Sequence, residues 1–120
     1  MDDCLLTDVR LDGGALSAGF SVPAAHAILR GHFPGAPLVP GVLLLDAVRG
    51  ACERARGTAY TIAEVVEVRF ARPLAPDTRA ELQAELADDA GTLLVAGDWR
   101  LAAGRIAAFR LRLVPRACGG

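Results

Sequence analysis

The segment from residue 41 to residue 56 constrains the fold of this 120-residue chain most, because its first turn is apolar on every side. The apolar residues there are Val42, Leu43, Leu44, Leu45, Ala47 and Val48. Pro40-Gly41 suits a helix start and Gly57 a helix stop, so the segment is predicted to be a helix of about 24 Å. A helix with such a beginning is expected to be enclosed by other elements.

The stretches around this helix have the alternating pattern of strands. Leu5 to Leu11 and Ala15 to Val22 alternate loosely, and Asp12-Gly13-Gly14 between them is a good hairpin turn. A connector follows over Pro23 to Gly31, with a short helical turn at residues 24–29. Four more strand-like stretches come after the helix, at Tyr60 to Phe70, Arg79 to Ala87, Thr92 to Leu101 and Arg105 to Val114. We therefore predict one α+β domain over residues 1–120, with an antiparallel sheet curled round one helix.

One helix and six strands would leave sheet edges and part of the helix uncovered. Pairing two copies would cover both, so the pattern favours a homodimer. The longest apolar run is far short of the roughly 20 residues that span a bilayer. A net charge of −1 gives no general case for binding nucleic acid or membranes.

The loop before the helix, residues 32–41, holds a histidine among three prolines and two glycines. It reads His32-Phe33-Pro34-Gly35-Ala36-Pro37-Leu38-Val39-Pro40-Gly41, and Asp46 follows inside the helix. Proline fixes φ and glycine permits close backbone approach, so this loop is expected to hold one shape. A base, a helix N-terminus and an acid in fixed relation suit proton transfer on a thioester.

This loop resembles the active-site stretch of the hotdog-fold 3-hydroxyacyl-[acyl-carrier-protein] dehydratases. Their pattern is His-Phe-Pro-Gly-x-Pro-x-x-Pro-Gly-Val/Cys-Leu with an acid fourteen positions after the histidine, the spacing of His32 and Asp46. A second patch, residues 68–77, looks like the Lys-Phe-x-x-Pro-x-x-Pro-Gly-Asp stretch on a later strand of those enzymes. The resemblance spans roughly residues 20 to 87 and implies a hotdog fold, a homodimer with a continuous sheet, and no cofactor or metal.

The resemblance also implies roles for individual residues. His32 would remove the C2 proton of a 3-hydroxyacyl thioester, and Asp46 would protonate the departing C3 hydroxyl, directly or through water. The Gly41 amide would polarise the C1 carbonyl. The base and acid of one site would come from different subunits, and the carrier would be an acyl carrier protein. Four apolar residues would line the acyl tunnel or belong to the core: Phe33, Val39, Pro40 and Leu44.

Simpler interpretations exist for the polar residues. Asp46 either faces a cavity, where loss of water favours the protonated acid, or pairs with Arg49 at the helix surface. His26 is interpreted as structural or at the pocket edge. Cys52 follows an apolar run, which indicates core packing more than catalysis. Cys4, Cys52 and Cys118 lack metal-type spacing and are odd in number, so they are expected to be reduced thiols. Together with the acidic N-terminus, they favour a cytoplasmic protein.

All 13 basic residues are arginines, and the chain from Arg100 onward has five of them and no acid. They form either a solvated strand face or part of a docking surface for an acidic carrier protein.

Two features depart from the chain-elongation enzymes. The acid is Asp where the commonest of them have Glu, and the chain is short. Both resemble the small dehydratases of specialised pathways such as aryl polyene synthesis, and Asp also occurs in the dehydratase/isomerase branch, without establishing isomerase activity here. A hotdog thioesterase that activates water at C1 is one alternative. A non-catalytic subunit, or a hetero-oligomer with a related hotdog subunit, is another.

Overall fold

The computed structural model describes residues 5–23 and 39–116. That part of the chain forms one helix, α1 (Gly41–Arg56), and one six-stranded sheet. The strands are β1 (Leu6–Asp12), β2 (Ala15–Phe20), β3 (Tyr60–Phe70), β4 (Ala80–Asp89), β5 (Thr92–Leu101) and β6 (Gly104–Pro115). The predicted α+β class is confirmed.

The predicted bounds of α1, β3 and β5 are those of the structure, and the other strands differ by one or two residues. Gly57 ends α1 in the left-handed conformation (φ 67°), and its amide donates to the Glu53 carbonyl at 2.8 Å. β2 ends two residues earlier than expected, because its pairing with β1 stops at Phe20. The predicted connector beyond Pro23 lies outside the described residues.

The sheet is antiparallel throughout, in the order β1-β2-β4-β5-β6-β3. Side chains alternate between its two faces. On the inner face, Ala18, Leu82, Trp99 and Ala107 are neighbours across four strands, and all are buried. This face forms the apolar core together with α1.

Helix α1 packs on the inner face and contacts β1, β2 and β3. The buried Trp99 indole Nε1–H donates to the Leu44 carbonyl at 3.0 Å, which ties the middle of the sheet to the helix backbone. The Trp99 ring also packs against Phe20, with 5.7 Å between ring centroids. A buried indole needs such an acceptor, so this bond fixes where the helix lies on the sheet.

The single chain leaves part of α1 uncovered, as expected for one helix and one sheet. Val42 is 68% exposed, and Asp46, Arg49 and Glu53 follow it along the same helix face, half-buried. One sheet covers only one side of a helix, which leaves this face uncovered. No helix in the described part of the chain is long and apolar enough to cross a membrane.

The two edges of the sheet differ. β1 has an irregular register between Thr7 and Arg10, and Asp8 within that bulge has φ 53°. Arg79 donates to both Thr7 and Asp8 across the bulge. Bulges and charges of this kind discourage pairing with another strand. The opposite edge, β3, also has an irregular register, between Ile62 and Glu64 and between Val65 and Glu67, but it is longer and has exposed Val65 and Val66.

Candidate functional site

The beginning of α1 leaves backbone amides available. Pro40 is the N-cap residue (φ −59°, ψ 138°), and no side chain of the described residues caps the helix. Gly41 is the first helical residue, and the first amides of a helix have no carbonyl four residues earlier within it to bind. The helix dipole adds partial positive charge there, so this end can stabilise a developing oxyanion.

Gly41 lies directly under the ring of Phe70, at the end of β3. A Cβ atom added at Gly41 would be 2.8 Å from Phe70 Cζ and 2.9 Å from Cε1, closer than side chains normally approach. Phe70 is 49% exposed, so its ring covers the helix start only from one side. Glycine here therefore lets the Phe70 ring approach the helix start closely.

The structure brings the two patches that carry the family resemblance together. The Val39 amide donates to the Leu74 carbonyl at 2.9 Å in an isolated antiparallel bridge. Val39 lies near the end of the histidine loop, and Leu74 lies in the segment after β3. The Leu43 amide then donates to the Pro40 carbonyl at 3.0 Å, which begins the helix. The segment after β3 thus fixes where α1 begins.

Asp46 lies about 1.4 turns along the helix from Gly41, about 7.5 Å along its axis. Its Oδ1 accepts the Arg49 Nε–H at 2.8 Å, and its side chain is 30% exposed. Its Oδ2 is covered from solvent and has no hydrogen-bond partner among the described residues. The predicted pairing with Arg49 is thus observed for one oxygen, the other is buried without a partner among the described residues, and a cavity at Asp46 stays a prediction.

Arg49 also contacts a second acid, with its NH1 group 2.8 Å from Glu53 Oε2. The hydrogen bond that Arg49 donates to Asp46 is the main reason that the pKa of Arg49 lies above its usual value, against the opposing effect of burial. Glu53 Oε2 in turn accepts the Tyr60 amide at 2.7 Å, at the first residue of β3. Glu53 was not predicted as part of the site, although its i,i+4 spacing from Arg49 was a usable signal.

The remaining predicted site residues divide into two groups. His32, Phe33 and His26 lie outside the described residues. Val39 and Leu44 are buried in the core, and Pro40 is half-buried. Lining of an acyl tunnel by these apolar residues stays a prediction.

Cys52 is fully buried in α1, on the side that faces the sheet. Burial raises the pKa of its thiol to about 12, because an apolar environment disfavours the thiolate. The thiolate is the nucleophilic form of cysteine, so the structure favours core packing for this residue. Cys4 and Cys118 lie outside the described residues.

The C-terminal arginines are mostly paired with acids of the sheet and helix. Arg100 and Arg105 both contact Asp98, at 2.8 and 3.3 Å. Arg112 lies 3.5 Å from Glu64 and 3.6 Å from Asp89, and Arg116 lies 3.7 Å from Glu53. These pairs agree with a solvated outer face.

A cavity of about 530 Å³ lies on this outer face, away from Gly41 and Asp46. Its polar lining includes Ser17, Gln83 and Asp98, which are neighbours in register across β2, β4 and β5. The face is opposite to α1, so this cavity is separate from the helix start.

Sequence comparison finds similar proteins over most of the chain. The family model described as ApeI-like, ApeI dehydratase, matches residues 9–102. A protein of Sodalis glossinidius named 3-hydroxyacyl-[acyl-carrier-protein] dehydratase FabZ is 37% identical over 93 residues, which cover 68% of this chain and 62% of that protein. A protein of the same name from Haemophilus influenzae is 34% identical over 93 residues, which cover 68% of this chain and 63% of that protein. The chain thus spans less than two thirds of the length of these relatives.

Structural comparison finds the same fold in a structure titled as the dehydratase heterocomplex ApeI:P from Xenorhabdus doucetiae. It is 19% identical with a TM-score of 0.73, and the match covers 91% of this chain and 96% of that one. The predicted hotdog fold is confirmed by this similarity and by the sheet that packs on one central helix.

Proposed function

Because the chain belongs to the ApeI-like dehydratase family, we propose that it dehydrates 3-hydroxyacyl thioesters on an acyl carrier protein to trans-2-enoyl thioesters. The observation that carries the proposal is the geometry of α1. Among the described residues, the helix has no side-chain cap at its start at Gly41, and Asp46 lies about 1.4 turns further on with a buried oxygen that has no partner. Fatty-acid or specialised polyene synthesis would use such a reaction.

In the proposed reaction, His32 takes the C2 proton and the C2–H electron pair becomes the C2=C3 double bond. The C3–O bond breaks, and the hydroxyl leaves as water with a proton from Asp46, directly or through a bound water. Negative charge that develops on the C1 oxygen is stabilised by the Gly41 amide and the helix dipole. Solvent returns the proton from His32 to Asp46, so no metal, cofactor or oxidant is required.

We further propose a homodimer in which each site combines His32 of one chain with Asp46 of the other. The uncovered face of α1, including Val42, and the open edge at β3 are the surfaces that a second copy would cover. A related hotdog subunit could replace the second copy, since the similar X. doucetiae structure is titled a heterocomplex. A cytoplasmic location stays a prediction from the cysteine pattern.

The test is incubation of the purified protein with 3-hydroxyacyl carrier thioesters of several chain lengths, with mass detection of water loss. Asp46→Asn is nearly isosteric and should keep the fold, yet lower the rate by about 10²- to 10⁴-fold, the usual contribution of a general acid. A change below about twofold would mean that Asp46 is only a surface partner of Arg49. Release of free carrier thiol would instead indicate a thioesterase, and no turnover a non-catalytic subunit.

A further inference from the structure

We infer that Arg49 is a positioning residue for the proposed dehydration: it holds Asp46 by Oδ1 so that Oδ2 meets the substrate, with Glu53 as its support. The inference rests on the proposed function and adds to it which carboxylate oxygen reacts and what orients it. The three residues are called the Asp46–Arg49–Glu53 cluster below.

The two ends of the Arg49 guanidinium contact different acids. Nε–H donates to Asp46 Oδ1 at 2.8 Å, and NH1 lies 2.8 Å from Glu53 Oε2. Asp46 is three residues before Arg49 and Glu53 four residues after it, so the three side chains lie along one helix face. Because the guanidinium is planar and rigid, holding one end at Glu53 fixes the direction in which the other end meets Asp46.

Glu53 is itself held by the sheet. Its Oε2 accepts the Tyr60 amide at 2.7 Å, and Arg116 NH2 lies 3.7 Å away. Tyr60 is the buried first residue of β3. The cluster therefore connects the orientation of the Asp46 carboxylate to the sheet as well as to its own helix.

The cluster is more enclosed than an ordinary surface ion pair. The Arg49 and Glu53 side chains are 17% and 19% exposed, and that of Asp46 is 30% exposed. Buried carboxylate oxygens normally have partners, and each can accept hydrogen bonds. Asp46 Oδ1 accepts a hydrogen bond from Arg49, whereas Oδ2 has no hydrogen-bond partner among the described residues. Oδ2 is thus the oxygen left for the substrate hydroxyl or a water that serves it.

A double-mutant cycle tests this inference. Arg49→Gln should lower kcat by about 10- to 100-fold, because a misplaced catalytic group loses rate, with KM unchanged within about twofold. In an Asp46→Asn background the same substitution should change kcat by less than about twofold, since the group that Arg49 orients is already lost. An equal loss in both backgrounds, or a loss confined to KM, would overturn the inference.

Arg56→Gln is the matched control. Arg56 lies on the same helix and pairs with Asp88 at 2.8 Å. It is ten residues from Asp46 in sequence, and its side chain is more exposed than that of Arg49. Its substitution should leave kcat within about twofold of wild type.

Arg49→Lys is the second variant if Arg49→Gln does not fold. Its single ammonium cannot bridge two acids in the same way, so kcat should again fall.

Carboxyl-carbon NMR provides a readout that does not depend on activity. The Asp46 signal, assigned by its absence in Asp46→Asn, should move in Arg49→Gln or Arg49→Lys and stay in place in Arg56→Gln. An unmoved signal would overturn the inference even if the enzyme is active. If the wild-type protein turns over no 3-hydroxyacyl thioester, the proposed function fails, and a moved signal would still show that Arg49 contacts the Asp46 carboxylate.

Discussion

Adding a methyl group at Gly41 separates its proposed oxyanion role from its packing role. In Gly41→Ala the new Cβ would be 2.8 Å from Phe70 Cζ, so the ring must move. Phe70 is 49% exposed at the end of β3, and its ring can turn toward solvent. The backbone of α1 therefore need not shift.

The expected loss of stability is small. Complete burial of a Phe side chain stabilises by up to about 3 kcal/mol, so displacing a half-buried ring costs at most about 1.5 kcal/mol. Alanine in place of glycine in a helix returns about 0.5–1 kcal/mol. The free energy of unfolding should change by less than about 1 kcal/mol, or about 4 °C in Tm. The rate should fall about 10²- to 10³-fold, as when an oxyanion donor is lost, because the methyl keeps the thioester carbonyl away from the amide.

The assay is kcat for water loss, measured beside Tm. In the control Gly41→Ala/Phe70→Ala, measured against Phe70→Ala alone, the methyl group no longer meets a ring, yet it still occupies the space before the amide. The rate loss should therefore persist in that background. A Gly41→Ala enzyme within about twofold of wild type, or recovery of rate in the Phe70→Ala background, would refute the oxyanion argument.

Two further predictions concern assembly and pH. Inactive His32→Ala and Asp46→Asn homodimers, once mixed and allowed to exchange, should form about half hybrids with one intact site of two, so about a quarter of wild-type activity should return; exchange without recovery would contradict a shared site. The raised pKa of Cys52 means that the folded protein keeps the thiol proton after the unfolded chain, with a pKa near 9.0, has lost it. The stabilisation of the folded state by the protonated thiol should be complete below pH 9 and lost as the pH rises toward 12. Urea denaturation should therefore show a smaller decrease in the free energy of unfolding over this pH range in Cys52→Ala than in wild type.

Local sequence determined the elements of this protein and the position of its acid. The bounds of α1, from the Pro40-Gly41 start to the left-handed Gly57, follow from backbone preferences that act within a few residues. The strand breaks follow from glycine and proline in the same way. The motif spacing likewise located Asp46 within the helix. Each of these depends on contacts close along the chain.

Tertiary structure decided which distant residues meet. The strand order places β3 at the sheet edge beside β6. This position brings Phe70 over Gly41 and Leu74 against Val39. From the sequence, Asp46 was predicted either to act as the catalytic acid or to pair with Arg49 at the helix surface. The folded chain shows that the pair occupies only one oxygen and that Glu53 links it to β3. Such a result depends on packing between elements far apart in sequence, which local preferences do not encode.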